Sequence, residues 1–164
     1  MRELYVVQIG EPLDEVEVRG LRRGAGIFGY EVKLGERMEL LEGWLDGPRG
    51  QYNAEAIARW LGRRRGKSMA VLKRDLFVDR LNFVFGVALP WKGVAILSTY
   101  RLRDRDESLF EERVAKEAAH ELGHLLGLGH CANRLCLMSF SNSLKEVDEK
   151  RLWLCESCRA KLGL

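Results

Sequence analysis

The feature that most constrains this chain is where its histidines and cysteines fall. All three histidines lie between positions 120 and 130, and all four cysteines between 131 and 158. Residues kept for packing would scatter along the 164 positions. Metal ligands have to converge. His120-Glu121-Leu122-Gly123-His124 sets two imidazoles four positions apart. On a helix such positions lie one turn apart on one face, so both rings can reach one ion. Glu121 falls about 100° around the helix from His120, near the ion without having to bind it. That placement suits a general base acting on a zinc-activated water. Gly127 allows a sharp turn, which can bring His130 back to the same ion. Three neutral imidazoles leave a fourth position open, as catalytic zinc requires. The expected ligands of a catalytic zinc are His120, His124 and His130, with Glu121 as the catalytic residue.

The cysteines form two close pairs, Cys131 with Cys136 and Cys155 with Cys158. Such pairs, well apart in sequence, read as a four-thiolate structural zinc site. The expected cofactor is therefore Zn2+, two per chain. Two disulfides are the alternative. The first residues read as a strand rather than a secretory signal, so the expected location is cytoplasmic, where disulfides are rare. His130 and Cys131 are adjacent, which limits the two ions to a separation of at most roughly 14 Å. Order at the thiolate site should help to place the third histidine.

Composition narrows the class. The chain is 46% hydrophobic and 31% charged, which is that of a folded globular protein rather than a disordered one. No apolar run approaches the ~20 residues of a membrane span. The net charge of +3 says little alone. Arg63-Arg64-Arg65-Gly66-Lys67 reads as a solvated turn more readily than as a nucleic-acid contact. A zinc-ribbon-like nucleic-acid module remains a rival reading of the cysteine tail, with little aromatic interleaving to favour it.

The periodicities give an α/β (α+β) order. Strands are expected at 4–9, 27–34, 69–72, 81–89 and 94–100, the fourth as a central strand covered on both faces. Helices are expected at 12–23, broken by Gly24 and Gly26, and at 54–64, capped by Asn53 with Ile57, Trp60 and Leu61 inward. Gly35 to Gly50 reads as loop. A long helix to Leu126 should open on a Ser108–Glu111 capping box, with Leu122 and Leu125 against the sheet and Arg113 and Lys116 solvated. One further helix is expected at 144–154. The chain reads as one domain, residues 1–164. An upper sheet and helix part spans 1–127, and a small lower part 128–164.

The string HExxHxxGxxH, followed at once by Cys131, then Cys136-Leu137-Met138 and Cys155-Glu156-Ser157-Cys158, resembles the archaemetzincins. The resemblance covers at least the C-terminal half. It implies a metzincin-like mixed twisted sheet, an active-site helix beneath it, and a small irregular zinc-bound tail. Met138 would be the methionine of the turn under the metal, a polarizable floor for the imidazoles. The strand holding Val94 to Ser98 would be the cleft's edge, able to pair with an extended peptide. Phe140 stands where some metzincins carry a tyrosine that reaches the metal. The implied function is zinc-dependent peptide-bond hydrolysis on a peptide or protein substrate, with no membrane partner. A non-catalytic zinc-containing peptide-binding protein on the same scaffold is the alternative.

Overall fold

Three strands carry apolar side chains on both faces, and that two-sided burial makes them the middle of the fold. The computed structural model describes residues 2–62 and 66–164. In chain order the elements are β1 (Arg2–Ile9), α1 (Glu15–Gly26), β2 (Tyr30–Met38), β3 (Leu45–Asp46), β4 (Gln51–Asn53) and α2 (Ala54–Leu61). There follow β5 (Lys67–Leu72), β6 (Leu76–Val78), β7 (Leu81–Val84), β8 (Gly86–Leu89) and β9 (Val94–Ser98). The helices α3 (Glu107–Leu125), α4 (Leu144–Glu149) and α5 (Glu156–Lys161) complete the order.

The larger sheet runs β2-β1-β5-β9-β8, parallel except for β8 at one edge. Successive side chains on a strand point to opposite faces. Leu4, Val6, Met69, Val71, Ala95 and Leu97 meet α1 and α3 on one face. Val7, Ile9, Ala70, Leu72, Val94 and Ile96 pack with α2 on the other. A smaller mixed sheet, β3-β4-β6-β7, lies on that second side. The first apolar cluster continues from Leu4 to Cys158, so the cysteine tail shares the core of the upper part.

Helix α1 does not break at its glycines. It runs through Gly24 to Gly26, opened by an Asp14–Glu17 capping box. The glycines serve packing instead. A methyl group on Gly24 would lie 2.4 Å from Ala115 O of α3, and one on Gly20 would lie 2.7 Å from Val114 Cβ. Gly24→Ala is expected to destabilise by ~1–3 kcal/mol through overpacking. Gly26→Ala, which meets nothing within 4 Å, is expected to be neutral or to stabilise by up to ~1 kcal/mol. Urea denaturation of the two variants checks the contrast, and equal midpoints would remove the packing argument.

Several expectations need correction. The apolar run 81–89 is two strands in two sheets. Leu81–Val84 pairs with β6, whereas Gly86–Leu89 pairs with β9. Val94–Ser98 is wholly buried between β5 and β8, so the free edge is β8. Gly35–Gly50 is only partly loop, since β2 continues to Met38 and a short 3-10 turn spans Glu42–Trp44. Trp60 is 49% exposed rather than inward. The run at 63–65 lies outside the described residues.

Helix α3 starts two residues earlier than its capping box implied. Asp106 is the cap, accepting from the Ser108 and Leu109 amides at 3.0 and 3.3 Å. Glu111 is thereby free to pair with Arg19 of α1 at 2.8 Å. Arg113 and Lys116 are buried, not solvated. Arg113 holds Asp148 with two hydrogen bonds of 2.8 and 2.9 Å, and Lys116 donates to Val147 O at 3.1 Å. Both cations clamp α4 onto α3. The helix expected at 144–154 stops at Glu149 because the next residues bond elsewhere. The Arg151 amide donates to Leu135 O at 2.9 Å, and the Leu137 amide to Trp153 O at 2.8 Å. Among the described residues, no helix is long and apolar enough to cross a membrane.

Candidate active site and metal centre

Helix α3 carries His120 and His124 on the face opposite its packed leucine Leu122. Their Nε2 atoms stand 3.1 Å apart. The Nδ1 of His120 lies 3.0 Å from Leu137 O, and that of His124 lies 2.7 Å from Leu128 O. A carbonyl can only accept, so both Nδ1 atoms carry the proton and both Nε2 lone pairs are free. Two nitrogens on a tetrahedral zinc, each ~2.0–2.1 Å from the metal, stand about 3.3 Å apart. The spacing fits.

His130 arrives as expected. The chain turns at Gly127, where φ is +101°, a left-handed value that glycine adopts without strain. The His130 ring stacks over His120 at 5.4 Å, and the metal-binding nitrogens of all three residues lie within 4.8 Å of one another. Burial lowers the pKa of each ring, and the charge of Lys150 lowers it further, well below the usual value at His120. The rings are therefore neutral near pH 7, the form that binds metal.

Met138 is fully buried. A methyl group on Gly123 would stand 2.5 Å from its Sδ, so the glycine inside the histidine motif makes room for the methionine. Glu121 is buried at the start of β8. A methyl group on Gly86 would lie 2.9 Å from Glu121 Oε1 and 2.6 Å from Ile96 O. Burial first, and the Glu117 carboxylate second, push the Glu121 pKa up to about 8, with Lys150 opposing. A divalent cation among the three histidines would pull it back down. Phe140 sits 5.1 Å from the His130 ring and offers no hydroxyl. The three histidines, Glu121, Gly86 and Phe140 line a cleft of about 360 Å³ running along β8, which also takes in Glu55, Arg80 and Trp91.

The four cysteines converge separately, their sulfurs within 4.8 Å of one another. Cys131 and Cys155 are 3.7 Å apart, Cys136 and Cys158 3.8 Å. A disulfide would require ~2.05 Å. The edge of a zinc–thiolate tetrahedron with ~2.3 Å bonds is about 3.8 Å. The donor set and the spacing favour zinc over the disulfide alternative. The Cys158 amide, the largest influence, lowers the Cys155 pKa to about 7 and so favours its thiolate.

The seven sequence-derived ligand residues thus fall in two clusters, joined through the His130–Cys131 peptide bond. Sequence reasoning missed three neighbours. Gly86 had no signal of its own. Glu117, three positions before His120, could have been found from the helical spacing. Lys150 lies thirty positions beyond His120, and only the fold brings it near.

The sequence profile of peptidase family M54 matches residues 24–163. The chain belongs to that family, the archaemetzincins. It is accordingly a zinc metallopeptidase. Among its relatives, the archaemetzincin of Haloarcula marismortui is 37% identical over 94% of this chain and 95% of its own. The crystal structure of archaemetzincin from Archaeoglobus fulgidus, complexed with malonate, superposes with a TM-score of 0.88. It is 36% identical and covers 97% of this chain and 99% of that one. Archaemetzincin from Methanopyrus kandleri gives 0.86 at 37% identity, covering 99% and 93%.

Proposed function

We propose that this metallopeptidase hydrolyses peptide bonds at the His120–His124–His130 centre, with Glu121 as general base, and that it holds a second, structural zinc on Cys131, Cys136, Cys155 and Cys158. The observation that carries the reading is the aim of the imidazoles. Two Nε2 atoms 3.1 Å apart, with both Nδ1 atoms engaged by carbonyls, have no better common partner than a cation. When bound there, zinc supplies Lewis-acid polarisation of a scissile carbonyl and acidifies water.

The chain's own residues do the rest. Glu121 accepts a proton from the attacking water at its carboxylate and returns it to the leaving amine. Its burial keeps that carboxylate away from bulk solvent, where hydration would weaken it as a base. The unpaired side of β8 offers backbone groups to an extended substrate, and Gly86 lets that edge approach Glu121. Phe140 presents an apolar ring beside His130. The whole chain acts as one domain in this reading, and its location is cytoplasmic, where four thiolates stay reduced.

Elemental analysis tests the metal assignment. The parent is expected to hold about two zincs per chain and a His120→Ala/His124→Ala variant about one, each supplied with excess zinc. One zinc in both proteins would overturn the histidine site. Two in the parent, with no cleavage across a peptide library, would instead favour a peptide-binding protein that does not cut.

A further inference from the structure

Among the described residues, the bulkiest side chain that the fold buries completely is a charged one. Lys150 is 1% exposed. Its Nζ stands 2.8 Å from Oε2 of Glu117, itself 4% exposed, and donates to Ser139 O at 3.2 Å. Stability alone does not account for such a pair. Burying two ions costs several kcal/mol each, and apolar groups of similar volume often serve as well or better. Position says more. Lys150 is the residue that ends α4. Glu117 lies on α3 one turn before the histidine motif, and Ser139 directly follows Met138. One ammonium therefore ties the active-site helix to the turn beneath the histidines.

Glu117 is the part of this arrangement that needs restraint. Glu117-x-x-His120 has the spacing at which a glutamate and a histidine on one helix can bind a single metal. Glu117 lines the same cleft as the three histidines, and its charge reaches both Glu121 and His124. Its Oε2 has no hydrogen-bond partner and is engaged by the ion pair with Lys150. A free carboxylate there would find a strong partner in a metal ion. Bound as a fourth ligand, it would fill the position that water and substrate need.

Resting on the metallopeptidase reading, we propose that Lys150 is a positioning residue which holds the Glu117 carboxylate back, keeping open the fourth coordination position of the ion on His120, His124 and His130. The charge of Lys150 also reaches all three histidines, so the same ammonium limits how much negative charge collects around them.

The test uses the zinc-loaded protein and reads two quantities. One is the rate at which a dilute chelator removes zinc from the histidine site, identified as the phase absent from His120→Ala/His124→Ala. The other is kcat and KM on a cleaved peptide. In Lys150→Met, a freed Glu117 is expected to slow zinc release and lower kcat, each by ~10-fold or more. KM should change little. Lys150→Gln, which keeps a donor for Ser139 O, should behave alike. Adding Glu117→Gln to either variant removes the competing ligand and should restore both rates toward the parent's. A purely structural lysine predicts the reverse: faster zinc release, and kcat falling only with the metal lost. That result, or a double variant that stays impaired, overturns the proposal. The release measurement needs no substrate. It therefore judges Lys150 even if the peptidase reading fails.

Discussion

Replacing Glu121 with Gln is expected to lower kcat by roughly 10²–10⁴-fold while leaving the zinc content at the parent's value. The amide keeps the volume of a side chain that is 5% exposed and packed against β8, so the cleft should retain its shape. What it loses is the ability to accept a proton. KM should move little, because the substitution removes an interaction made during the reaction rather than in binding. Steady-state kinetics paired with elemental analysis checks this. Near-parental turnover by a fully metallated Glu121→Gln variant would transfer the base to another group, and Glu117 would be the first to examine.

The second large effect concerns stability. Cys136 is fully buried, its sulfur 3.8 Å from that of Cys158 and 3.4 Å from the Cys155 amide. Cys136→Ser should release the thiolate-bound zinc. Structural zinc sites in small domains carry apparent binding free energies of ~10–16 kcal/mol. Losing even about 4 kcal/mol of that lowers Tm by roughly 8–16 °C in a protein of this size. Calorimetry should show that fall, and elemental analysis the loss of one zinc. An unchanged Tm would mean that the tail is held by its apolar contacts alone, Leu137, Leu154 and their neighbours in the main core.

The two clusters of potential ligands were legible in the sequence because their spacing is local. A helix converts the spacing of His120 and His124 into a common face, and the His130–Cys131 junction ties the second cluster to the first. The sheet was legible where a short apolar run forms a single strand, as in β5 and β9. It failed over 81–89, because an unbroken apolar run does not say that its two halves serve different sheets. It failed again at Gly24, where the glycine signal for a helix end was outweighed by the close approach of α3. Arg113 and Lys116 read as solvated, and Lys150 carried no signal of its own. Their partners Asp148, Val147 O and Glu117 are brought to them only by the folding of α4 onto α3.

The peptide bond between His130 and Cys131 also has a meaning in time. A ribosome delivers α3, with His120 and His124, well before it delivers Cys155 and Cys158. Until those two emerge, Cys131 has only part of the cluster that anchors it, and His130 is held by its turn and by the Cys131 amide on Met138 O, 2.9 Å away. A nascent chain therefore carries two well-placed imidazoles and a third without its full anchor. The anchoring of the third imidazole is thus completed late in synthesis, by the segment that brings Cys155 and Cys158 to Cys131.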